Sequence, residues 1–218
     1  MAETKPRKWP RQERSRATFD AVLEGCARLL DEVELADVTT NRIAERAGVG
    51  IGTLYEFFPG REAILAVLCA RRLEEMRARV AASLATASQL PEGEAIAFLL
   101  DAIIERVRAD RGLYRVLLRG DAAFLRKLPE TRRAIAALFE LGRSAGLGAG
   151  PRIALPHPVA DTWLVGRMLA HAVVDVALAG KGDPPRELLS REIARLAFRM
   201  VQGRDAMESK RRFSERLR

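Results

Sequence analysis

Two groups of residues in this chain could do chemistry. The first is basic and lies at the N-terminus: Lys5, Arg7, Lys8, Arg11, Arg14 and Arg16, opposed by Glu3 and Glu13. Such side chains neutralise phosphate. A flexible arm carrying them can follow a nucleic-acid backbone or enter a narrow minor groove. The same run also reads as an ordinary charged terminus. The second group surrounds Gly48 in TTNRIAERAGVGIGTLYEFF, Thr39 to Phe58. Between Val49 and Phe58 there is no Arg, Asn or Gln, so the side chains that pair doubly with guanine or adenine are missing. Thr53 can make one versatile bond, Ile51 can pack on a thymine methyl, and Gly50 and Gly52 let a backbone come close. Glu56 could accept from a cytosine amine but more readily faces solvent.

Other chemistry finds little support. The histidines, His157 and His171, and the cysteines, Cys26 and Cys69, form no cluster in the sequence. There is no phosphate-binding glycine loop and no zinc-type spacing. No catalytic residue, metal or cofactor is expected, and an enzyme is the weakest reading. Both cysteines sit in apolar helical patterns and read as small buried hydrophobes in a reducing compartment. Apolar residues make up 48% of the 218, enough for a core, and the formal charge of +8 favours an anionic partner. No uncharged apolar run reaches the roughly 18 residues of a membrane span. WLVGRMLAHAVVDVALAG is interrupted by Arg167, His171 and Asp175. The N-terminus has no apolar core of a secretory signal. A cytoplasmic protein is expected.

The elements that must position these groups are helices. Phe19, Val22, Leu23, Cys26, Leu29 and Leu30 recur at spacings of three and four, which predicts a helix from about Ser15 to near Glu34. Thr39 is placed to cap a second helix, with Ile43, Ala44 and Ala47 inside it. Gly48 stands where that helix must stop in a left-handed turn. A third helix is predicted from Ile51 to about Phe57, with Leu54 and Phe58 inward, ended by Pro59-Gly60. A long helix follows over about 61–87, broken by SQLPEGE, then helices over roughly 93–109, 112–119, 121–144, 157–180 and 185–202. No run of alternating strands and no repeat is found, so the class is all-α.

Two short helices about a glycine corner make a helix-turn-helix, which presents one helix at a width the major groove accepts. VTTNRIAERAGVGIGTLYEFFPGREAIL resembles the TetR family of bacterial transcriptional regulators. Thr39-Thr40, Ile43-Ala44, Ala47-Gly48-Val49, Gly52-Thr53-Leu54-Tyr55, Phe58 and Arg61 carry the match. With the preceding helix it covers about residues 16–76. The resemblance implies a homodimer on a partly palindromic double-stranded DNA operator. It also implies a C-terminal helical domain that dimerises and holds a small-molecule effector, whose binding shifts the spacing of the DNA heads. It places Thr40 and the Tyr55 hydroxyl on phosphates, Thr53 toward the groove, and Arg61 where the family usually has a phosphate-neutralising lysine. Asn41 and Phe57 complete the DNA-facing set, with Thr39, Gly50, Ile51 and Gly52. The expected organisation is a basic flexible arm over 1–15, a helix-turn-helix DNA-binding domain over 16–62 (the motif itself at 39–58), a ligand-binding and dimerisation domain over 63–203, and a charged tail over 204–218.

Two C-terminal segments suit pairing between subunits. PVADTWLVGRMLAHAVVDVALAG is apolar on more than one face. PRELLSREIARLAFRMVQG carries Leu188, Leu189, Ile193, Leu196 and Met200. Candidate pocket residues are Phe98, Ile103, Tyr114, Leu117, Phe124, Phe139, Trp163, Met168 and His171, with Arg115 and Asp175 as further polar groups; bulky residues at this spacing are otherwise core. A ligand-released repressor is the leading expectation. The alternatives are a constitutive or partner-controlled DNA-binding protein on the same fold, or an activator.

Overall fold

The computed structural model describes residues 4–119, 168–169 and 171–202. Among these residues the secondary structure is helical, with a single isolated bridge between Lys181 and Asp183. In chain order the helices are α1 (Glu13–Glu32), a short 3-10 turn (Leu35–Asp37), α2 (Thr40–Ala47), α3 (Ile51–Phe57), α4 (Arg61–Ala87), α5 (Glu92–Ala109) and α6 (Arg111–Arg119). They continue with α7 (171–178) and α8 (Arg186–Gln202). No described helix is long and apolar enough to cross a membrane. The expected helix over 121–144, most of the one over 157–180 and the charged tail lie outside the described residues.

The chain divides into two compact units. The first runs to Ala78 and resumes at Val107; the second takes in Arg79–Arg106 and the C-terminal helices. In the first unit α1 is the central rod. Its buried face is the one its periodicity marks: Phe19, Val22, Leu23, Cys26, Leu29 and Leu30. Burial pushes the Cys26 thiol from 9.0 to about 12, against a small opposing pull from the Arg61 charge, so it stays a neutral, inert packing group at neutral pH. Helix α2 crosses α1 closely at Gly25, where an added Cβ would come within 2.9 Å of the Ala47 backbone nitrogen.

Helix α6 locks onto the end of α1. The Gly112 N–H donates to Asp31 Oδ1 at 2.7 Å. Arg115 donates to the carbonyls of Leu30 and Val33 at 3.1 and 3.2 Å. Arg115, a polar group the sequence offered to a pocket, here closes free carbonyls at a helix C-terminus. On α4, Arg72 joins three carboxylates: Glu24 of α1 at 3.0 Å, Glu75 of its own helix at 2.9 Å and Asp110, between α5 and α6, at 3.3 Å.

In the second unit Ala87, Ala95 and Leu99 pack together with Leu84 and Leu90 about the turn between α4 and α5. Helix α8 meets α5 through a Ser190–Asp101 hydrogen bond and an Arg186–Glu105 ion pair at 3.7 Å.

Candidate nucleic-acid interface

The interface is built from α2 and α3, and each is held by local chemistry. Helix α2 opens as predicted: Thr39 is extended (φ −111°, ψ 157°) and its hydroxyl accepts the Arg42 N–H at 3.3 Å. It closes on Gly48 at φ 67°. The Gly48 N–H donates to Glu45 O and the Val49 N–H to Ala44 O, the paired reverse bonds of a Schellman turn. A side chain at Gly48 would meet no neighbour; the requirement for glycine is conformational. Arg42 donates to Asp37 O at 3.0 Å, which ties α2 to the preceding turn.

Helix α3 has seven residues, too few to be stable alone. Leu54, Phe57 and Phe58 anchor it in the core, with Phe19 of α1 edge-on to Phe57 at 5.7 Å and tilted against Phe58 at 4.6 Å. Its other side faces out. Ile51 is 40% and Tyr55 39% exposed, and Gly52 and Glu56 are exposed with them. An added Cβ at Gly52 would meet nothing within 4 Å, and one at Gly50 only the Thr53 hydroxyl at 3.8 Å. No internal contact demands glycine at either position.

The two short helices meet through hydroxyls. Thr40 Oγ1 and the Tyr55 hydroxyl lie 3.0 Å apart on the exposed side. Whichever donates, the other keeps its own hydrogen, so the pair retains an O–H for an acceptor in front of it. The residues around it carry no free cation of α3 itself, since none is present between Ile51 and Phe57.

Thr39, Thr40, Asn41, Gly50, Ile51, Gly52, Thr53 and Tyr55 thus sit on the two helices and their corner; Asn41 is exposed and Thr53 half-buried. Two members of the expected set are corrected. Phe57 is only 4% exposed: lying three residues after Leu54, it shares the inner face and has no ring to offer DNA. Arg61 turns inward. Its Nη1 donates to Leu35 O and Val38 O at 3.1 and 3.2 Å, and its Nη2 to Glu62 at 3.2 Å. The carbonyls around the 3-10 turn need donors, and the guanidinium fork serves them instead of phosphate.

The arm is also corrected. Helix α1 begins at Glu13, so Arg14 and Arg16 are helical residues. Upstream, the Arg7 N–H donates to Phe57 O at 2.8 Å and Arg7 Nη1 to Tyr55 O at 3.1 Å. Trp9 lies 5.6 Å from Phe19 between ring centroids while remaining 62% exposed. A freely flexible arm does not describe these contacts. The signal in the sequence was Trp9, a large apolar ring in a polar stretch that needs an apolar surface to rest on.

Of the pocket candidates, Tyr114 and Leu117 are buried in the first unit. Phe98, Ile103, Met168 and His171 belong to the second. Phe98 and Met168 are exposed, and Ile103 and His171 half-buried, so the described residues do not enclose Phe98 or Met168. Phe124, Phe139 and Trp163 lie outside the described residues.

The pattern of the bacterial regulatory proteins of the tetR family matches residues 22–68. No curated protein matches the sequence. Among solved structures, a TetR-family transcriptional regulator from Streptomyces coelicolor is 26% identical with a TM-score of 0.55, the match covering 86% of this chain and 98% of that one. The fatty acid degradation regulator FadR of Bacillus halodurans has a TM-score of 0.61 at 19% identity, covering 87% and 97%. FadR of Bacillus subtilis has 0.60 at 19%, covering 87% and 99%. The latter two share the fold. Residues 22–68 thus carry the helix-turn-helix head of the bacterial regulatory proteins of the tetR family, and the fold over most of the chain is that of TetR-family transcriptional regulators.

Proposed function

We propose that the protein is a homodimeric repressor which a small molecule releases from its operator. The observation that carries the DNA contact is the exposed Thr40–Tyr55 hydroxyl pair, 3.0 Å apart, beside the uncharged outer face of α3. Such a pair can hold a phosphate, while Ile51, Gly50 and Gly52 allow close approach to base edges. Exposed apolar side chains support the dimer: Leu188 and Leu196 stand exposed on α8, eight residues apart and so near one face of a helix. For the effector, FadR of Bacillus subtilis has been seen in complex with stearoyl-CoA. A long-chain acyl thioester is therefore the first compound class to try.

The test is to sequence the fragments of the source genome that the purified protein retains, and to footprint the shared element. A partly palindromic element is expected. The Tyr55→Phe variant should bind it roughly 10- to 150-fold more weakly, the value of one hydrogen bond to a charged group. Its sequence preference should stay the same, because a phosphate contact carries no base information. Unchanged affinity would remove the Tyr55 hydroxyl from the interface.

A further inference from the structure

We propose that residues 5–11 are a fixed lateral extension of the DNA-facing surface: Arg7 and Trp9 anchor the segment to the α3 corner, and Lys5, Lys8 and Arg11 bind backbone phosphates beside the α3 footprint. The inference rests on the DNA-binding reading above and adds a second set of contacts to it.

The anchor is specific. Arg7 approaches α3 twice, by its backbone N–H to Phe57 O and its guanidinium to Tyr55 O. Both carbonyls lie in the last turn, where a helix leaves acceptors without intrahelical partners. A cation at that end also covers the negative pole of the peptide dipoles, which would otherwise face a polyanion. Two residues further on, Trp9 rests near Phe19, the ring that packs on Phe57 and Phe58. Lys8 is held between these two anchors. Lys5 and Arg11 lie two residues outside them, within about 7 Å of chain on either side.

The charge balance makes the extension useful. Helix α3 contributes no cation and one carboxylate, Glu56. Arg61 spends both terminal nitrogens inside the protein, and Arg42 spends its Nη1 on Asp37 O. Lys5, Lys8 and Arg11 are exposed. A segment already held in place loses less freedom on binding than a loose one. Arg7 is thus a positioning residue, and its neighbours make the contacts.

The experiment uses the full chain and an operator selected by the wild type, with affinity measured from low to moderate salt. Replacing Lys5, Lys8 and Arg11 together by alanine should reduce the slope of log K against log[salt] by about 2.7, at roughly 0.9 per phosphate. Arg7→Ala should reduce it by clearly more than the roughly 0.9 of a single contact, because the anchored charges are released with it. Adding Arg7→Ala to the triple variant should change little further. Trp9→Ala loosens the second anchor without touching α3 and should lower the slope in the same direction, with helix content unchanged. If the wild type binds but the triple variant keeps its slope, or Arg7→Ala costs no more than one contact, the extension is overturned and the helix-turn-helix stands. If the wild type retains no DNA at any salt, the regulator reading fails and takes this inference with it.

Discussion

Gly52 shows how a single residue separates stability from function. It lies within α3, and space is open where its Cβ would be. In a helix interior alanine is favoured over glycine by about 0.8–1.0 kcal/mol. Gly52→Ala should therefore leave the melting temperature unchanged or raised, while operator affinity falls because the added methyl stands on the outer face. A melting temperature that drops, or affinity that holds, would show that the glycine serves something else. Much at this scale was legible. Thr39 as cap and Gly48 in the left-handed turn follow from local backbone chemistry and appear as read. Phe57 was misplaced although the spacing from Leu54 already put it on the inner face. Arg61 was not legible: its partners, the carbonyls of Leu35 and Val38, lie 26 and 23 residues away in the chain, and a backbone acceptor leaves no mark in residue type.

Among the elements, the junction of α6 with α1 depends on another glycine, with the opposite outcome for the same substitution. A Cβ on Gly112 would lie 2.2 Å from the Leu30 carbonyl oxygen, a backbone atom that cannot swing aside. Gly112→Ala should force α6 from α1 and weaken the Gly112–Asp31 and Arg115–Leu30 bonds. We expect a loss of about 1–3 kcal/mol in urea denaturation, the usual cost of overpacking, larger than the propensity gain of alanine in a helix. Stability equal to wild type would mean that the junction shifts at no cost. The helices themselves were readable from periodicity: α3 runs Ile51–Phe57 and α4 Arg61–Ala87, where the pattern set them. Their partners were not. Nothing in the spacing of Arg111–Arg119 says that its first turn sits on the end of α1, since that contact joins residues more than 80 positions apart.

For the whole molecule the prediction concerns linkage. If an effector releases the operator, then by thermodynamic necessity the operator must weaken the effector, and by the same factor. For a compound that releases the operator, binding measured with and without operator duplex should differ by about 5- to 150-fold, the usual range of such coupling. Equal affinities would mean that the compound tested does not act through the DNA-bound state, however tightly it binds.

Local chemistry along the chain was enough to read the helical class, the ends of the short helices and the TetR-like helix-turn-helix head. These rest on interactions that reach at most one or two turns along the chain: caps, left-handed corners, and apolar residues three and four apart. The tertiary structure alone decided which polar side chains remain for a partner. It turned Arg61 and Arg115 inward onto carbonyls, tied Arg7 to the end of α3, and brought Thr40 to Tyr55. A long cation can serve solvent, phosphate or a backbone oxygen equally well. Which it serves depends on what the fold places within its reach.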